Sequence, residues 1–181
     1  MIIGITGKKF SGKDTLADEL VKNHKFIKYS MADPLKEALK PLFGFTDDQL
    51  YGTKKELIDE RWNITPRETL QFFGTQVMQF KLQELIPNIG RNFFVKRFEE
   101  FCKQNKDKNI VVADIRFQHE IDSVKKIGGS IIKITRDNLN NNLSEHISES
   151  GLEDLTDIDF VIENNSTKEE LFKSYYIMSS K

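Results

Sequence analysis

This chain of 181 residues has one cysteine, one tryptophan, four prolines and three histidines, and almost no excess of charge. Cys102, being alone, excludes an internal disulfide and fits a reducing compartment. Its plain reading is a small residue on a half-buried helix face. The histidines and the cysteine show no zinc spacing. Lysine and arginine number 27 against 28 acidic residues, a net charge of −1. That balance speaks against coating nucleic acid or lying on a membrane surface, so any anion site has to be local. No apolar run approaches the ~20 residues of a membrane span. The run Met1–Thr6 stops before Lys8-Lys9, too short for a signal h-region. The expectation is a soluble, cytoplasmic protein, long enough for one domain with a real core.

What is present is an alternation. Strand-like apolar runs fall at 2–6, 26–29, 110–114, 130–135 and 160–163. Between them lie helical patterns: Ala17, Leu20, Val21 and His24; Leu35, Leu39 and Leu42 behind the start signal Asp33-Pro34; Leu70, Phe73, Val77 and Phe80. Phe94, Phe98 and Phe101 make a fourth helix, and Phe117, Ile121 and Val124 a fifth that ends at Gly128-Gly129. Leu171, Phe172, Tyr175 and Tyr176 close the chain. Short strands separated by helices predict an α/β fold, a five-stranded parallel sheet covered on both faces. About eighty residues separate the second strand from the third, and that interval reads as helical, a subdomain for a second substrate. The polar stretch from Arg136 to Leu155 is either a lid or a solvated loop.

Gly7-Lys8-Lys9-Phe10-Ser11-Gly12-Lys13-Asp14-Thr15 carries the strongest chemistry. It follows a strand and opens a helix, the context that makes a glycine-bounded loop a phosphate cradle. Backbone N–H groups and the positive helix end surround a polyphosphate, and Lys13 adds a charge at its outer phosphates. Such loops favour phosphoryl transfer, where an enzyme mainly positions phosphates and neutralises them. The hydroxyl residue normally found after the lysine is here Asp14. Asp14 is therefore a metal ligand, direct or through water, or a first-turn acid favoured by the helix dipole, with Thr15 supplying the hydroxyl.

Two further constellations stand out. Arg67, Gln71 and Gly74 share a helical stripe about 60° wide, which reads as a ligand-facing strip or as a solvated face. Glycine there lets a ligand or a backbone come close. Asp114-Ile115-Arg116-Phe117-Gln118-His119-Glu120 sits at the carboxyl end of a strand, the edge where open α/β sheets bind ligands. Arg116 suits bidentate phosphate binding, and Asp114 suits orienting it or a metal-bound water. Glu120 is a candidate acceptor from a base or sugar; without the phosphate loop it would read as a helix-capping carboxylate. Arg136 ends the next strand on the same edge. His146, Ser148 and Glu149 lie close together in the polar stretch, without the nucleophile elbow of a hydrolase.

Together these blocks resemble the deoxynucleoside monophosphate kinases of bacteriophages and large DNA viruses. The resemblance runs through Gly7–Thr15, residues 29–36 (Tyr-Ser-Met-Ala-Asp-Pro-Leu-Lys), Arg67–Thr75, Asp114–Glu120 and His146–Glu149, in that order, from residue 1 to about 175. It implies a P-loop NTPase-like fold with a helical monophosphate-binding insertion over about 30–105 and a lid over about 136–155. The implied reaction is ATP- and Mg2+-dependent conversion of deoxynucleoside monophosphates, dTMP and dGMP first, to diphosphates for DNA precursor supply. Gly7, Ser11, Gly12, Lys13, Asp14 and Thr15 would hold ATP and the metal, with Arg136 on the ATP side. Lys9, Lys36, Arg67, Gln71, Gly74, Arg91, Asp114, Arg116 and Glu120 would surround the monophosphate. Lys13 and Arg116 would carry catalysis. A homodimer in the cytoplasm of an infected host cell, with no nucleic acid and no membrane as partner, completes the picture. The phage pattern has Lys-Arg where Lys9-Phe10 stand, so one cation is missing here. Rival readings are a phosphomevalonate or dephospho-coenzyme A kinase and a non-catalytic nucleotide-binding module.

Overall fold

In a computed structural model of the chain, which describes residues 1–137 and 152–179, the five apolar runs become five parallel strands. They are β1 (Ile2–Thr6), β2 (Phe26–Tyr29), β3 (Asn109–Ile115), β4 (Ser130–Thr135) and β5 (Phe160–Glu163). The third is one residue longer at each end than its apolar run predicts. Their order across the sheet is β2-β3-β1-β4-β5, so β1 lies in the middle and the chain crosses from one side of it to the other. Ligands of open α/β sheets bind at such a switch point, beyond the carboxyl ends of the strands.

The chain divides into two units, residues 1–30 with 98–181, and residues 31–97. In the first unit, α1 (Lys13–His24) and α7 (Lys168–Ser179) cover one face of the sheet. Ile3, Ile5, Leu16, Ala17, Leu20, Val111, Ile134, Leu171 and Tyr175 form the core there. α6 (Gln118–Lys126) covers the other face, against Gly4. Any side chain at Gly4 would collide with Ile115, and its Cβ would lie 2.7 Å from Ile131 Cδ1. Alternation explains the split, since successive residues of β1 point to opposite faces. Tyr29 packs on Phe98 and Phe101 of α5 (Phe93–Gln104), with ring centroids 5.4 and 4.7 Å apart. Cys102, on the same helix, is buried, and burial together with Glu99 pushes its thiol up to about 11.

The second unit is helical, as its periodicity predicts. α2 (Asp33–Phe43) starts with Pro34 in its first turn and ends at the left-handed Gly44. α3 (Asp47–Leu50) is short. α4 (Pro66–Gln71) opens with a reciprocal cap: Thr65 Oγ1 accepts from the Glu68 N–H at 3.1 Å, and Glu68 Oε2 accepts from the Thr65 N–H at 2.8 Å. The expected α-helix then changes period. Phe72–Phe80 is π-helical, with one more residue per hydrogen-bonded turn. No described helix is long and apolar enough to cross a membrane.

Candidate active site

The loop after β1 is shaped by residues that only glycine can replace. Gly7 has a φ of 143°, and a Cβ there would run into the carbonyl of Ile134. Gly12 has a φ of 108°, and its Cβ would lie 2.5 Å from the Asn164 amide nitrogen. Both are conformations that side chains resist. Between them the Ser11 N–H donates to the Lys8 carbonyl at 3.2 Å. Gly12 caps α1, so the first-turn N–H groups, which have no acceptor within the helix, and the positive helix end belong to this loop. Lys13 opens the helix, and its ammonium donates to the Lys8 carbonyl at 2.6 Å, across the loop.

Ser11 is fully buried, and its hydroxyl has no hydrogen-bond partner among the described residues. That oxygen lies 2.8 Å from the position a Gly7 Cβ would occupy, so the hydroxyl and the glycine space coincide. Buried polar atoms are rarely left unpaired unless a ligand or ion completes them. The Ser11 carbonyl is held separately, by the Asn164 side-chain amide at 2.8 Å. Phe10 has a left-handed backbone, φ 66°, and is 66 % exposed. The Lys9 ammonium stands 5.1 Å from its ring centroid. Lys8 pairs with Glu153 at 3.0 Å.

Asp14 occupies the hydroxyl position but is engaged elsewhere. Its Oδ1 accepts from the Lys28 ammonium at 2.9 Å, and the same ammonium reaches Asp18 Oδ1 at 2.9 Å. Thr15, half-buried in the same first turn, is the hydroxyl nearest in sequence.

At the end of β3 the register slips. Gly4 faces Val112 but Thr6 faces Ile115, so one extra residue of β3 is accommodated beside β1. Bulges of this kind re-aim side chains next to sites. Asp114 lies within the slip and accepts from Ser30 Oγ at 2.6 Å, while Thr6 Oγ1 donates to the Ile115 carbonyl at 2.9 Å. Glu120 is engaged with the backbone at its own helix start. It is 5 % exposed, and its Oε2 accepts from the backbone N–H groups of Arg116 at 2.8 Å and Phe117 at 3.1 Å. Burial first, with Asp114 adding, pushes its carboxyl up to about 7 against the pull of those two donors. The capping alternative is the one that holds, and its effect is to fix the backbone that carries Arg116. Arg136 follows β4 and is exposed. Because the strands are parallel, Gly7–Thr15, Asp114–Arg116 and Arg136 all come to one edge of the sheet.

In the helical unit, Arg67 Nε donates to Glu56 Oε1 at 3.0 Å. Arg91 Nε donates to Gln79 Oε1 at 2.8 Å, with its guanidinium 5.6 Å from the Phe80 ring centre. Lys36 pairs with Asp33 at 3.2 Å and lies 4.4 Å from the Tyr51 ring centre. Gln71 ends the α-helical part and Gly74 lies in the π-helical part, so a 100° step counts Arg67 and Gln71 together but not Gly74. The neighbour that comes close at Gly74 is Leu35, whose Cδ2 would lie 3.3 Å from a Cβ. His146, Ser148, Glu149 and most of the expected lid lie outside the described residues.

Periodicity and motif reading missed three residues. Lys28 is a strand lysine with no pattern around it, and Asn164 merely follows β5. Ser30 lies inside a family block yet carries no chemistry of its own in sequence. Ser30 and Asn164 acquire partners only when distant segments align, and Lys28 only when β2 packs against α1.

Comparison with known proteins gives the family and the fold. A sequence model described as deoxynucleotide monophosphate kinase matches residues 1–63 and 43–175. A protein of Acanthamoeba polyphaga mimivirus named for that activity is 40 % identical over 95 % of this chain and 92 % of its own. The deoxynucleotide monophosphate kinase of Enterobacteria phage T4 is 28 % identical, over 94 % of this chain and 95 % of its own. Among solved structures, dephospho-CoA kinase from Campylobacter jejuni superposes with a TM-score of 0.52 at 16 % identity, covering 99 % of this chain and 97 % of that one. That last likeness concerns the fold alone.

Proposed function

The chain belongs to the deoxynucleotide monophosphate kinase family, and on that premise we propose that it transfers the γ-phosphoryl group of ATP to a deoxynucleoside 5′-monophosphate, with dTMP and dGMP as first candidates. The donor half rests on one observation, the buried Ser11 hydroxyl beside Gly7, which has no hydrogen-bond partner among the described residues. A phosphate oxygen or an ion would complete that hydroxyl, and the first-turn N–H groups of α1 suit a phosphate.

A monophosphate is already largely ionised near neutral pH, with a second pKa of about 6. One of its oxygens attacks the γ-phosphorus while the bond to the β-bridging oxygen breaks, and ADP leaves with that electron pair. No protein general base is needed. Lys13 neutralises charge on the outer phosphates, and Arg116, held on its Glu120-capped backbone, neutralises charge on the transferring group or the acceptor. Ser11 and Thr15 offer oxygen ligands that fit Mg2+, which keeps several waters and supplies further charge neutralisation when bound. Lys9 and Asp114 join Arg116 as candidates for the monophosphate. Glu120 supports that set by holding the Arg116 backbone through its Oε2.

ADP release measured against a panel of deoxy- and ribonucleoside monophosphates, mevalonate 5-phosphate and dephospho-coenzyme A tests the reading. Release with dTMP or dGMP is the expected result. Release with only the last two acceptors would overturn it, and nucleotide binding without any transfer would favour a non-catalytic module.

A further inference from the structure

We propose that Lys28 is a positioning residue of the nucleotide loop: it holds and neutralises Asp14, so that a carboxylate standing where such loops carry a hydroxyl does not repel the phosphates of ATP. The inference rests on the reading of Gly7–Thr15 as the ATP loop.

Asp14 is the second residue of α1, directly after Lys13, at the helix end that gathers phosphate. A negative side chain there gains from the helix dipole while the loop is empty of anions, and opposes them once they arrive. Lys28 resolves the conflict. Phe26 and Lys28 lie two residues apart on β2 and so share a face; Phe26 is buried in the core beneath α1, and Lys28 therefore points to that helix. Tyr29 points the other way, to Phe98 and Phe101. From its strand position the Lys28 ammonium reaches Asp14 Oδ1 and Asp18 Oδ1, both at 2.9 Å, one helical turn apart. Burial works against this ammonium, but the hydrogen bonds to Asp18 and Asp14 outweigh it and raise its pKa. The bonds also turn the Asp14 carboxylate toward the strand. Without Lys28, two carboxylates would stand one turn apart on the first turns of the helix, with no cation of this strand between them.

The test measures ATP binding directly, by calorimetry in EDTA and again with Mg2+, so that no turnover is needed. In EDTA, Lys28→Met should bind ATP about fivefold more weakly than the wild type, a modest factor because the pair is partly exposed. The loss should shrink as salt is added. Lys28→Met with Asp14→Asn should recover affinity to within about twofold of the wild type, since the uncompensated charge is gone. Lys28→Gln, which keeps a donor but no charge, should repeat the Lys28→Met result where that variant is too unstable to measure. Unchanged affinity in both single variants, or a loss that Asp14→Asn does not rescue, would overturn the proposal. ATP binding in the wild type without phosphorylation of any deoxynucleoside monophosphate would sink the acceptor assignment and leave this one standing. A wild type that binds no ATP would overturn both.

Discussion

The side-chain amide of Asn164 donates to the backbone carbonyl of Ser11 at 2.8 Å, joining two residues 153 positions apart inside the protein. Asn164 follows the edge strand β5, and its own N–H is held by the Thr135 carbonyl at 2.8 Å. The last strand of the sheet thereby braces the loop that leaves the first. Asn164→Ala leaves the Ser11 carbonyl buried without that donor, which costs about 1–3 kcal/mol. Urea denaturation should show a loss of that size, accompanied by a higher KM for ATP. Unchanged stability and KM would show that the loop does not depend on the brace.

Lys13→Met should lower kcat by about two to three orders of magnitude, the scale for removing one preorganised charge or donor from a transition state. The side chain crosses the loop to the Lys8 carbonyl, and loss of that single partly buried bond should cost only about 1 kcal/mol. Turnover and thermal unfolding measured on the same sample separate the two effects. Retained turnover would remove Lys13 from catalysis.

At Phe10 the usual order of alanine and glycine should invert. A non-glycine residue at φ 66° pays about 1 kcal/mol or more for the left-handed backbone. Phe10→Gly and Phe10→Ala both delete the ring over which Lys9 stands, so their difference reports the backbone alone. The glycine variant should be the more stable by about 1 kcal/mol in chemical denaturation. Equal or reversed stabilities would mean that the loop relaxes out of that conformation. Phe10→Arg, which supplies the cation of the phage pattern, should lower the KM for the monophosphate.

Glu120 should make stability fall as pH rises. Its carboxyl titrates near 7 in the folded protein against an ordinary value of 4.5, so between those values the folded state holds a proton that the unfolded chain has lost. The favourable contribution is complete below about 4.5 and is lost as pH climbs through about 7. Glu120→Gln resembles the protonated form and cannot ionise. Relative to the wild type, the variant should gain up to about 3 kcal/mol in stability between pH 5 and pH 8, as read from denaturation midpoints. A constant difference across that range would show that Glu120 does not titrate there.

Much of the fold was legible in the chain. Period-two and period-3.6 apolar patterns are local; they located the five strands to within a residue at each end, and the apolar faces of the helices of the first unit. The glycines of the phosphate loop were legible for the same reason, because a left-handed turn between strand and helix leaves few alternatives to glycine. The limits were also local. The apolar run 70–80 fits an α-helix, yet its backbone turns π-helical after Gln71, and periodicity alone does not distinguish the two over nine residues. Val21 continues the apolar face of α1 by spacing but is 39 % exposed.

The sequence by itself determined that a strand, a glycine-bounded loop and a lysine-bearing helix start would build an anion site, because those elements need only near neighbours. Tertiary structure decided who serves that site. Strand order put Asn164 under Ser11, the packing of β2 against α1 put Lys28 beside Asp14, and the slip between β1 and β3 set Asp114 on Ser30. It also buried Glu120, whose carboxylate holds the Arg116 backbone. Pairing and burial depend on which distant strands lie side by side, and no local pattern encodes that.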